Sequence, residues 1–248
     1  MSSSMPSSPT RIHAFAAHLA NIVSRLDRDP EAFEMLTQGL DDPKFPKLLP
    51  KFQKIMYSHA ILGVIAKEDY VKASEYLSTV DALPGDDFLE YFHTLRMTVL
   101  VREEMLKIAS TPLFEKGSAE EIGHKCQFLM TFITMDHSEE YFRQTLGVIH
   151  YNLALSLAIQ KNLDAAIDEL RTAQAILSEP IDRIVQARVK CGLAFLANLH
   201  LERCPSPSNF ASELTPEERA TPDFGNEFTK WVRISAALSR TSSSPSPE

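Results

Sequence analysis

"YNLALSLAIQKNLDAAIDELRTAQAILSEP", residues 151–180, holds no motif for a chemical reaction, yet its alanines and leucines recur in strict order. Working outwards, Phe142, Leu146, Ile149, Leu153 and Leu157 are spaced by four, three, four and four, one stripe on one helical face. After Lys161-Asn162, a second stripe runs through Leu163, Ala166 or Ile167, Leu170, Ala173 and Ile176. Ala154, Ala158, Ala166 and Ala173 are small where two antiparallel helices would approach closely, and the larger residues fill the grooves beside them. The stretch predicts a helical hairpin.

The same reading carried along the chain predicts an all-α protein of about ten helices in consecutive pairs. They fall near 10–27 with 30–40, 50–66 with 68–83, 86–109 with 118–135, 138–160 with 162–178, and 180–203 with 222–240. No segment alternates β-branched residues between turn signals, so no strand is expected. Asp29-Pro30 and Thr221-Pro222 place proline at the first helical position behind a capping residue. Ser118-x-x-Glu121 and Thr215-x-x-Glu218 have the form of capping boxes. The break at 204–222 reads as a rim loop or a short extra helix after Thr215. The Ser/Pro-rich ends, 1–9 and 241–248, have too few apolar residues to offset the entropy of ordering. A single domain over 10–240 is therefore expected between two disordered tails.

The quoted stretch resembles the tetratricopeptide repeat, a helical hairpin of about 34 residues. Leu153, Ala154 and Leu157 match the packing positions of its first helix, and Leu163, Ala166, Leu170 and Ala173 those of its second. A weaker match is "YSHAILGVIAKEDYVKASEYLSTVDALPG", where Tyr57, Ala60, Ile61 and Val64 precede Tyr70, Ala73, Leu77 and Val80. Together the matches cover about a quarter of the chain. Ala73 and Ala166 lie 93 residues apart, which is not a multiple of the repeat, so the array is irregular. The resemblance implies a right-handed superhelical stack of antiparallel hairpins, an α-solenoid with a concave wall of first helices.

Composition narrows the function. A net charge of −8 repels phosphate backbones, and the nearest basic run, "RIVQARVK" from Arg183, looks like helix-surface charge, so no nucleic-acid partner is expected. Apolar runs such as "ILGVIA" are too short to cross a bilayer, and no membrane partner is expected. Cys126, Cys191 and Cys204 have no CxxC spacing, which fits a reducing compartment, cytoplasm or nucleus. Residues 1–26 lack Asp and Glu and place Arg11 and Arg25 on an amphipathic pattern, leaving a mitochondrial transit peptide as the other reading.

No reaction chemistry is signalled. His13 and His18 are five apart, HExxH is absent, and no metal site or cofactor is expected. The phosphate-cradling and nucleophile-elbow motifs are missing. Cys126 and Cys191 sit in the apolar runs "KCQFLMTF" and "KCGLAFLA", where thiols are usually buried and inert. The doublets Asp86-Asp87, Glu120-Glu121, Glu139-Glu140 and Glu217-Glu218 are expected to open helices and complement their dipoles. Trp231, the only tryptophan, is expected to pack the last core layer with Phe224, Phe228 and Leu238. Ser8, Ser206, Ser244 and Ser246 each precede proline and are candidate phosphorylation sites, or simply the composition of disordered segments.

Two functions remain in view. One is a non-enzymatic adaptor that holds a peptide or helix of another protein in the concave groove. The resemblance then implies that Asn152 holds the ligand backbone, with Arg188 and Lys190 on the next first helix meeting an acidic group. The other is a structural subunit docking through its end helices into a larger assembly. An uncovered first pair (Phe15, Leu19, Phe33, Leu36) would favour it.

Overall fold

The computed structural model describes residues 9–26, 28, 29, 31–177, 183–200, 229–234 and 236. Among them stand nine α-helices, one 3-10 turn and a helical segment at 229–234, with no strand. The all-α expectation holds. The helices are α1 (Pro9–Val23), α2 (Ala32–Leu40), α3 (Pro50–Ala66), α4 (Tyr70–Asp81), α5 (Leu89–Ser110), α6 (Ser118–Met135), α7 (Arg143–Ile159), α8 (Leu163–Ile176) and α9 (Arg183–His200). The backbone forms two compact units, Met1–Glu103 and Glu104–Glu248, and the division falls within α5.

In the first unit α1 packs on α2, α2 on α3, and α3 on α4. Ile12, Phe15, Leu19 and Ile22 of α1, with Leu26 in the turn after it, join Ala32, Leu36 and Leu40 of α2 in one apolar cluster. Gly39 is needed there, because a Cβ would come within 2.3 Å of the Leu19 side chain. The first pair is covered: Leu19 and Leu36 are fully buried, and Lys44 and Lys67 stand over the rings of Phe15 and Phe33. A second cluster holds Ile61, Ala73, Leu77, Phe92 and Leu95.

In the second unit α6 packs on α7, α7 on α8, and α8 on α9, which also meets α7. All four alanines expected at the close approach, Ala154, Ala158, Ala166 and Ala173, are fully buried. Trp231 is fully buried and stacks on Phe195 of α9, as its core reading requires. Phe224, Phe228 and Leu238 lie outside the described residues, as do both Ser/Pro-rich tails up to Ser8 and from Thr241, and the segment 204–222.

The two hairpins singled out by sequence share their turn. The α3–α4 connection closes with Asp69 N–H donating to Val64 O, and the α7–α8 connection with Asn162 N–H donating to Leu157 O. The residue before each is left-handed, Glu68 at φ 59° and Lys161 at φ 67°. These are Schellman-type C-caps in which glycine is the usual occupant. Asp69 and Asn162 then start the second helix at nearly equal backbone angles, φ −89° and −88°. The offset of 93 residues pairs Ile61 with Ala154, Ala73 with Ala166, Leu77 with Leu170 and Val80 with Ala173, and every one is buried. The connection after α6 closes the same way, with His137 at φ 53° and Ser138 N–H donating to Ile133 O.

Several local expectations are corrected. Ser118 does not cap α6: Gly117, at φ 84°, takes that place, and Ser118 is itself helical and buried. The left-handed glycine brings the helix in one residue early, so Ser118 cannot reach forward as a cap. Glu120-Glu121 does lie in the first turn of α6, but Glu139-Glu140 sits in turns before α7, which begins at Arg143 rather than near 138. Asp86-Asp87 likewise precedes α5, whose first-turn acid is Glu90. Asp29 Oδ1 accepts from Glu31 N–H at 3.0 Å, so it caps the turn before α2 rather than α2 itself. A 3-10 turn, Phe45–Lys47, fills what sequence left as a connection.

Candidate functional site

The centre of the second unit is α7, enclosed by α6, α8 and α9. Tyr151, Leu153, Ala154, Leu155, Ser156 and Ala158 are all buried. Ser156 Oγ donates to Ala119 O of α6 at 2.6 Å, and Gly123 leaves room for that hydroxyl. Arg143 Nη1 donates to Ile176 O at 2.6 Å, satisfying a carbonyl that the end of α8 would otherwise leave unmade.

Two half-buried strips remain on α7. One carries Leu146, His150 and Leu157; the other carries Thr145, Val148, Asn152 and Ile159, spaced by three, four and seven. The first is closed towards α8 by His150 Nδ1 paired with Glu169 Oε2 at 2.5 Å. Asn152 on the second donates Nδ2 to Val148 O at 2.9 Å. That bond uses one donor of the amide and fixes its orientation; a side-chain amide has further capacity as donor and acceptor.

Arg188 and Lys190 are both half-buried on α9, and each already has an interaction partner. Two residues apart on a helix, they leave it on nearly opposite sides, about 160° apart. Ser8, Ser206, Ser244 and Ser246 lie outside the described residues.

Cys126 and Cys191 are free and buried. Burial, helped by the Glu169 carboxylate, pushes the Cys126 thiol from an ordinary 9.0 up to about 12. A thiol held protonated in this way is a poor nucleophile at neutral pH. We expect Cys126 to resist maleimide in the native protein at pH 8 and to label fully in urea; prompt native labelling would contradict its placement. Because the folded-state value is the raised one, the contribution of this group is intact below about pH 9. It is lost as pH climbs towards about 12, because the unfolded chain gives up the thiol proton first.

No group of three His, Cys, Asp or Glu side chains among the described residues is arranged to hold a metal ion. No described helix is long and apolar enough to cross a membrane.

One surface feature was not anticipated from sequence. Phe128 and Met135 on α6 are 53% and 77% exposed, and Phe132 between them is half-buried. The rings of Phe128 and Phe132 stack with centroids 5.9 Å apart. The run "KCQFLMTF" carries apolar residues on more than one side of the helix, so its pattern does not say which of them face solvent.

These features define the class: an all-α protein of consecutive packed helices. Comparison with protein-family models, with curated proteins and with solved structures gives no match to the chain.

Proposed function

We propose that this protein is a non-enzymatic adaptor of irregular, tetratricopeptide-like hairpins that grips a peptide or helix of another protein. The observation that carries the reading is the repeated hairpin: α3–α4 and α7–α8 share turn, register and buried positions across 93 residues. Repetition of one supersecondary unit is how stacked helical arrays arise, and such arrays work by surface complementarity. The groove assignment is supported by the half-buried strip of α7, where Asn152 holds an oriented amide one turn from Val148. In this reading a cation on α9, Arg188 or Lys190, meets an acidic group of the ligand. Buried free thiols suit a reducing compartment, cytoplasm or nucleus. The covered first pair favours the adaptor over a subunit that docks through its ends.

The test is affinity capture with cross-linking from cell extract, comparing wild type with Asn152→Ala and Arg188→Glu. We expect at least one partner to fall about ten-fold with Asn152→Ala, the scale of losing one well-placed hydrogen bond to a ligand backbone. Retention of every partner by both variants would refute the groove. Light scattering after size exclusion should give a monomer; a stable self-assembly would turn the choice to the subunit.

A further inference from the structure

We infer that the outer face of α6 is a second docking surface, and that its occupant is a basic amphipathic helix of a partner protein. This rests on the reading of the chain as a protein-binding module but uses none of the groove residues.

The argument starts from spacing. Phe128, Phe132 and Met135 stand four and three apart, the seam along which one helix lies against another. Large apolar side chains exposed side by side on one face are unusual and mark interaction surfaces. Here the two rings are already stacked, so little side-chain freedom is lost on binding. Met135 at the end adds an adaptable thioether of the sort found at helix-binding surfaces.

Charge selects the occupant. From Glu115 to Glu140 there are six carboxylates against two lysines, three of them before Phe128 in the chain and three after Met135. Lys125, the one lysine on α6, is neutralised by Glu121, with Nζ–Oε1 at 2.6 Å. An apolar seam with acid at both ends fits a helix with three apolar residues and basic residues beyond each end. A second copy of this chain does not fit. Three side chains cover far less than the ~1,600 Å² of an ordinary stable interface, and two bodies each carrying −8 repel.

The test uses a labelled helical peptide with leucines at i, i+4 and i+7 and arginines beyond both ends, titrated with the full-length protein and read by fluorescence anisotropy. Phe128→Ser with Met135→Ser should weaken binding at least ten-fold. Both positions are exposed, so circular dichroism should show the fold intact. Glu120→Gln with Glu140→Gln should weaken binding several-fold and flatten its dependence on salt. A peptide with glutamates in place of the arginines should not bind. Wild-type protein that ignores the basic peptide would overturn the inference, as would equal binding by the serine variant or by the acidic peptide. Asn152→Ala is run in parallel. Binding lost there and kept in the serine variant sinks this surface while leaving the groove standing; the reverse pattern supports this surface independently of the groove.

Discussion

Trp231→Ala should cost about 3–5 kcal/mol, the range for deleting a fully buried aromatic side chain, and lower the melting temperature by roughly 10 °C. The size follows from where the indole sits. Trp231 is fully buried and stacks on Phe195 with centroids 6.3 Å apart. Gly192 of α9 is kept free of a side chain for it, since a Cβ there would stand 2.5 Å from the ring. Alanine would open a cavity against a helix that cannot move in without losing its own contacts with α8. Trp231→Phe should be far milder, about 1–2 kcal/mol. The indole Nε1 is buried without a hydrogen-bond partner among the described residues, so removing it takes away an unfavourable term along with favourable ones. Urea unfolding followed by circular dichroism measures both variants. A loss below about 0.5 kcal/mol for alanine, the scale of a surface change, would mean that the segment at 229–234 does not cover α9.

Trp231 also shows how far the sequence could be read. Its burial was legible because a lone tryptophan on an apolar face is most often core. The α7–α8 hairpin was legible because Ala154, Ala166 and Ala173 alternate with larger residues at helical period; three of its ends fall within two residues of those expected, while α7 begins five residues later, at Arg143. What periodicity cannot carry is which apolar residues stay in water when they stand on more than one side of a helix. The α6 run around Cys126 buries Leu129 and Ile133 and exposes Phe128 and Met135, which are chemically equivalent in a moment of hydrophobicity. Nor can it announce a left-handed residue when glycine is not used. Glu68, His137 and Lys161 end three helices in a conformation that their side chains do not advertise. The pairing of His150 with Glu169 was invisible for another reason, because it joins neighbouring helices across 19 residues and depends on their rotation.

Phe45→Ala should destabilise the first unit by about 3–5 kcal/mol, although the stretch around it, "DDPKFPKLLP", reads from sequence as a loop. A loop aromatic in solvent would cost less than about 0.5 kcal/mol, so the two readings are well separated. Phe45 is 1% exposed and meets the Tyr57 ring edge-on, with centroids 5.4 Å apart. The turn that aims it inward is held at both ends. Asp42 Oδ1 accepts from Lys44 N–H at 2.8 Å, and Gln53 Nε2 donates to Leu48 O at 2.7 Å. The Lys44 backbone N–H, with the Lys44 charge behind it, holds the Asp42 carboxyl below its ordinary range. Pro46 cannot extend an α-helix from within the turn, and Pro50 then opens α3 at its first position. Two prolines and one aspartate therefore make a short rigid bracket that turns Phe45 and Leu48 into the cluster shared with α1, α2 and α3 and leaves Leu49 exposed. Hydrogen exchange offers the reading with local resolution. In Phe45→Ala, peptides from α1 to α3 should lose protection by the full change in stability, because Phe45 shares one cluster with Leu19, Ile22 and Leu36. Protection unchanged in those helices would show that the bracket decorates the unit rather than closing it.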